Sequence, residues 1–195
     1  MIAGKDESRR VERNCHMLTV PDSLLVVVDI QESLARVMHG RDALFENLQK
    51  MIKGARILEI PMIATEQVPE KLGGTVPEIA PLLENAPPIP KSSFSCCGED
   101  RFMRELDGIK RKQILMAGIE SHVCVFQTTA DLIRMGYDVH IVTDCISSRT
   151  EENRAVGIER MRDEGATITS TEMALFELMK GAGGERFREI SRLVK

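Results

Sequence analysis

The run SLLVVVDI at 23–30 constrains the fold more than any other part of the chain. It is continuously apolar apart from Ser23 and Asp29, and rich in β-branched valine, so a strand built from it needs cover on both faces. Such a strand belongs inside a parallel sheet sandwiched by helices. The segments that follow agree. DALFENLQKMIKGARIL (42–58) has apolar residues at 44, 45, 48, 51, 52, 55 and 58, the spacing of a helix with one buried face. PMIATEQ (61–67) and KRKQILMAGIE (110–120) read as further strands. SHVCVFQTTADLIRMG (121–136) reads as a helix closed by Gly136, and YDVHIVTD (137–144) as a strand. EENRAVGIERMRDEG (151–165) is a helix closed by Gly165 and ATITS (166–170) a strand, followed by a helix over 171–181 with Ser170 and Thr171 as candidate caps. Strands interleaved with helices predict an α/β protein, a three-layer α/β/α sandwich with a mostly parallel sheet of about six strands.

Residues 68–109 break the pattern. They are rich in Pro and Gly and read as mostly irregular, which in a compact domain points to a functional loop. Residues 1–20 are charged and predict an arm or disordered lead-in, with one domain over 21–195. There is no internal repeat or dividing linker. A net charge of −4 gives no basic footprint for nucleic acid and no polybasic membrane anchor. No apolar run approaches a bilayer span, and the first sixteen residues hold no signal-peptide core, so a cytoplasmic location is expected. Five cysteines, Cys15, Cys96, Cys97, Cys124 and Cys145, are an odd number at irregular spacings, which speaks against a disulfide framework.

Ligands of open parallel sheets bind beyond the carboxyl ends of the strands. The first strand ends at Asp29, with Gln31 and Glu32 beyond it. The second ends in Thr65, Glu66 and Gln67. Lys91 closes the irregular loop, just before the strand-like SSFSCC. The strand before 121 ends at Glu120, with Cys124 one turn on, and the next ends at Asp144. Each has a plain structural alternative: Asp29 as a cap, Lys91 as a solvated charge, Cys124 as filling in a buried helix turn. In favour of the set, a thiol near a helix N-terminus and an ammonium is in surroundings that lower its pKa.

The stretches LLVVVDIQESL (24–34), IATEQVPEKLGGTVPEI (63–79), KSSFSC (91–96) and AGIESHVCVFQTTADLIRMGYDVHIVTDCISSR (117–149), with the tail ERMRDEGATITSTEMALFELM (159–179), resemble the isochorismatase-like cysteine hydrolase superfamily, in particular its isochorismatase domain-containing branch. The resemblance implies a catalytic triad of Asp29, Lys91 and Cys124. It also implies a cis peptide between Ile119 and Glu120, with the backbone N–H groups of Glu120 and Cys124 forming an oxyanion hole, and it implies homo-oligomers. The chemistry then expected is hydrolysis of a small amide-like C–N bond through a thioester-type intermediate on Cys124. Nicotinamidases of the superfamily bind a metal through one Asp and two His after the second strand. No histidine stands between 61 and 91 here, so neither metal nor cofactor is expected. His122 reads as a site-lining donor or as a helix-packing residue; Gln31, Glu66 and Gln67 are candidates for contact with a small-molecule substrate, or Glu66 and Gln67 for fixing the loop. Cys96, Cys97 and Cys145 read as packing residues, with thiol exchange conceivable at Cys96 and Cys97. The competing functions are a non-catalytic scaffold and a hydrolase of an isochorismate-like vinyl ether.

Overall fold

A computed structural model describes residues 17–195, so Cys15, His16 and all but the last four residues of the 1–20 arm lie outside the described residues. Strands β1 (Ser23–Val28), β2 (Met62–Gln67), β3 (Ile89–Lys91), β4 (Gln113–Ile119), β5 (Asp138–Ser147) and β6 (Thr167–Thr169) form one sheet. Their order is β3-β2-β1-β4-β5-β6, and every pair is parallel. Both central strands, β1 and β4, are buried along their whole length, which is why they read as unbroken apolar runs.

The helices are α1 (Glu32–Ala35), α2 (Arg41–Ile57), α3 (Pro69–Leu72), α4 (Asp100–Ile109), α5 (Phe126–Arg134), α6 (Glu151–Asp163), α7 (Thr171–Met179) and α8 (Gly184–Val194). One face of the sheet is covered by α2 (Leu44, Leu48, Met51, Ile52), α7 (Ala174, Leu175) and α8 (Ile190). The other is covered by α4 (Phe102, Leu106), α5 (Leu132) and α6 (Met161). This is the three-layer sandwich that the alternation predicts. From β1 the chain winds outward through α2 to β2, and from β4 in the opposite direction through α5 to β5. Crossovers of one hand therefore place α2 and α5 on opposite faces. The order of strands reverses between β1 and β4, so the carboxyl ends of these two strands flank the crevice where such folds bind ligands.

Two local features shape that crevice. Gly118 is paired with Val28 and has φ of 132°. A β-carbon at Gly118 would stand 2.3 Å from the Val28 carbonyl oxygen, so only glycine lets β1 and β4 close here. In β5, the register against β4 slips between Met116 and Gly118, and the strand bulges before continuing to Ser147. Asp144 therefore does not end this strand. It lies in the bulge and caps α7, its Oδ1 accepting from Thr171 N at 2.9 Å and Thr171 Oγ1 at 3.0 Å.

The span 68–109 is more ordered than its composition suggests. It holds α3, a 3₁₀ turn at Ala80–Leu83, β3 and α4. Lys91 ends a strand rather than preceding one: SSFSCC bends into a 3₁₀ turn, Cys96–Gly98, because Ser95 Oγ accepts from Cys97 N. Helix α8 is likewise absent from the sequence reading.

Candidate active site

Alternation along β1 puts Val26 and Val28 on the α5 side and Val27 on the α2 side. Asp29 should follow Val27. Its backbone is instead left-handed, with φ of 56°, and its carboxylate meets partners on the α5 side. A non-glycine residue with this φ is uncommon, and such residues concentrate at functional sites. Asp29 Oδ1 accepts from Thr65 Oγ1 at 2.7 Å, and Asp29 N donates to Thr65 O at 3.1 Å.

Lys91 shares a face with Ile89, and Ile89 belongs to the core on the α5 side. Its Nζ lies 2.7 Å from Asp29 Oδ2, and neither side chain has any solvent exposure. The ammonium donates to Gln67 Oε1 at 2.6 Å and to the Ser93 and Phe94 carbonyls, each at 3.2 Å. With Asp29 Oδ2 these make four acceptors around three protons, so the ammonium is fully engaged. Asp29 Oδ2, at 2.7 Å, is the charged partner among these contacts and closes a salt bridge with no exposed atom. Burial opposes the Lys91 charge, but Asp29, with the nearby thiols of Cys96 and Cys124, outweighs it and raises the pKa.

Cys124 sits after β4 in a π-helical turn, Ser121–Val125, preceded by a cis Ile119–Glu120 peptide. The Glu120 carbonyl accepts from Val123 at 3.1 Å and Val125 at 3.2 Å. The acceptor an α-helical Cys124 N–H would use is therefore taken by the residues on either side. On the outside of this turn, Gly157 of α6 approaches so closely that a β-carbon there would come within 2.8 Å of the Ser121 carbonyl carbon.

Cys124 is 7 % exposed, and burial, followed by the charge of Asp29, pushes its thiol up to about 12 against the opposing pull of Lys91. This reverses the lowered pKa expected from an ammonium and a helix N-terminus. The physical reason is that Lys91 is already paired to Asp29, so the thiol meets a nearly neutral pair inside a low-dielectric core. A thiol so placed ionises only as its proton is taken.

The remaining candidates divide by what they touch. Gln31 is fully buried and its amide is committed: Nε2 donates to the Gln67 and Gly73 carbonyls, and Oε1 accepts from Gln67 N. Gln67 holds the Lys91 ammonium and donates to Ser92 O. Glu66 Oε1 accepts from Thr75 N and Thr75 Oγ1, both at 2.7 Å, and so ties down the loop after α3. His122 Nδ1 lies 2.9 Å from Ser148 Oγ, which also meets Ser121 Oγ at 2.6 Å. The Glu120 side chain pairs with Arg149 at 2.6 Å. Sequence reasoning assigned no part to Thr65 as a partner of Asp29, to Ser148, or to Thr128, whose hydroxyl donates to Cys124 O and accepts from Cys96 N. A polar residue alternating with Ile63 on a buried strand was the available signal for Thr65; Ser148 gave none.

Cys96, Cys97, Cys124 and Cys145 are free thiols. Among the described residues, no group of three or more His, Cys, Asp or Glu is arranged to hold a metal, and no helix is long and apolar enough to cross a membrane.

A parallel α/β sandwich carrying a buried Asp–Lys pair and a cysteine at its strand crossover defines a class of protein. The chain belongs to the isochorismatase family: the isochorismatase domain model matches residues 23–173. It is 40% identical over its full length to a secreted isochorismatase effector of Phytophthora sojae, covering 93% of that protein. It is 35% identical to mouse isochorismatase domain-containing protein 2A, over 89% of this chain and 82% of that one. A Caenorhabditis elegans structure titled MAR1 ribonuclease superposes with a TM-score of 0.86 at 36% identity, covering 92% of each chain. Family membership supports a hydrolase-type function.

Proposed function

We propose that the chain is a cofactor-independent cysteine hydrolase that cleaves a C–N bond in a small, uncharged amide. The observation that carries this reading is the fully buried Asp29–Lys91 pair, whose carboxylate lies within hydrogen-bonding reach of the Cys124 thiol. An ion pair with no exposure is a costly way to stabilise a core, since apolar residues of like volume serve as well or better.

In this mechanism the Cys124 thiol proton passes to the Asp29 carboxylate as sulfur forms a bond to the amide carbon. The carbonyl π electrons move onto oxygen, which the N–H groups of Glu120 and Cys124 stabilise. Asp29 then gives its proton to the nitrogen; the C–N bond breaks and ammonia or an amine leaves. Water attacks the thioester while Asp29 takes its proton, and the thiolate leaves and is reprotonated. Lys91 never needs to transfer a proton. Its contact holds the Asp29 carboxylate in place between steps.

Charge favours an amide over a dianion such as isochorismate. Lys91 is paired to Asp29 and Arg149 to Glu120, so neither of these cations is spare to meet a substrate carboxylate. We also propose self-association, on the family resemblance alone. The test is a panel of small uncharged amides and ureas with release of ammonia as readout, run beside isochorismate and an RNA oligonucleotide. Ammonia release by the parent and its loss in Cys124→Ala are expected. No turnover of any amide would favour the scaffold reading, and turnover of isochorismate or RNA undiminished in Cys124→Ala would replace the mechanism.

A further inference from the structure

We propose that Thr65 is a positioning residue for Asp29, its hydroxyl aimed at Oδ1 by the thiol of Cys96 so that the carboxylate is held toward Cys124. This rests on reading Asp29 as the base. Thr65 is 2 % exposed and lies on β2 opposite Val28, which sets it beside Asp29. Its Oγ1 is 2.7 Å from Asp29 Oδ1 and 3.7 Å from Cys96 Sγ. A threonine hydroxyl has a single proton, and an ionised carboxylate can only accept. With that proton on Asp29, the contact to Cys96 is an S–H donated to Thr65. Direction runs one way, from Cys96 through Thr65 to Asp29.

Two further facts fit. Burial pushes the Cys96 thiol up to about 11, so it stays protonated and able to donate across the neutral range. Cys96 is also tied to the cysteine turn from behind: its N–H donates to Thr128 Oγ1 at 3.0 Å, and Thr128 donates to Cys124 O at 2.7 Å. One chain of bonds thus joins the backbone of Cys124 to the far oxygen of Asp29, fixing the spacing between thiol and base. Cys96, read from the sequence as filling, is the link between them.

Without the Thr65 hydroxyl the Asp29 carboxylate is free to turn away from the Cys124 thiol, so proton transfer to it slows. The experiment is the rate of Cys124 alkylation by iodoacetamide at neutral pH, read by peptide mapping, which requires no substrate. In Thr65→Val the rate is expected to fall by about 2- to 10-fold, the worth of one hydrogen bond. Thr65→Ser should return it to the parent rate, and Cys96→Ala should lower it by less. Asp29→Asn should abolish the base-assisted rate. A role confined to packing would lower thermal stability in Thr65→Val and leave the rate in place. Should that variant not fold, Thr65→Ala and Cys96→Ala carry the same measurement. If Asp29→Asn abolishes the base-assisted rate while the Thr65 and Cys96 variants alkylate like the parent, the relay is wrong and the base stands. If Asp29→Asn itself leaves the rate unchanged, the reading of Asp29 fails and the relay fails with it.

Discussion

Asp29→Asn is expected to lower turnover of a cleaved amide by about 10²–10⁴-fold, the range over which a positioned acid–base group accelerates proton transfer. The same change should make Cys124 easier to ionise. Burial and the Asp29 charge hold that thiol up to about 12, and asparagine removes the second cause. The alkylation profile should therefore lose its base-assisted plateau and titrate at a lower thiol pKa than the parent. Asparagine keeps the volume of the side chain and can still accept from Thr65, but it leaves the buried Lys91 ammonium without its anion, so a thermal melt run beside both assays shows that the variant is folded. Turnover and ionisation moving apart is the signature of a base. A cysteine that merely sat beside a charge would become more reactive in both assays.

Lys91→Met should be strongly destabilising. It leaves Asp29 as a buried carboxylate without its cation, a loss of about 3–5 kcal/mol where one member of a buried pair is removed. For a chain of this size the melting temperature should fall by about 6–20 °C. The sign with pH follows from the raised Lys91 pKa. Stabilisation from a raised basic group is complete below its unfolded pKa of about 10.4 and disappears as pH rises through the higher folded value. The parent should lose this contribution in the alkaline range, and Lys91→Met should lack that part of the loss. Removing the cation should also raise the Cys124 thiol further, slowing alkylation at neutral pH. A thermal melt across pH checks the first effect and peptide mapping the second. A variant as stable as the parent would mean that Lys91 is not stabilising Asp29.

The layers of the sandwich were legible because both central strands are apolar throughout and α2 shows a clean helical stripe. Asp29, Lys91 and Cys124 were legible as residues at strand ends, and the structure brings them together. What periodicity could not show was the backbone at Asp29. A left-handed residue closing a strand turns its side chain to the face that alternation denies it. Helix α4 was obscured by the prolines and glycines ahead of it, although Phe102 and Leu106 stand four apart on its buried side. The bulge in β5 hid the cap that Asp144 makes on α7. The direction of the Cys124 shift was missed for a different reason. Sequence lists the charges near a thiol but not how deeply they lie, nor that Lys91 has all three protons engaged.

The central claim is that a thiol held at about 12 by its surroundings is nonetheless reactive because a carboxylate takes its proton. Peptide mapping during brief exposure to iodoacetamide at neutral pH tests it most directly. Cys145 is the internal reference, being buried, raised well above the ordinary thiol range and hydrogen-bonded to Thr171 rather than to an ion pair. The expected result is label on Cys124 well before Cys145, and before Cys96 and Cys97. Label reaching Cys124 no faster than Cys145 would contradict it.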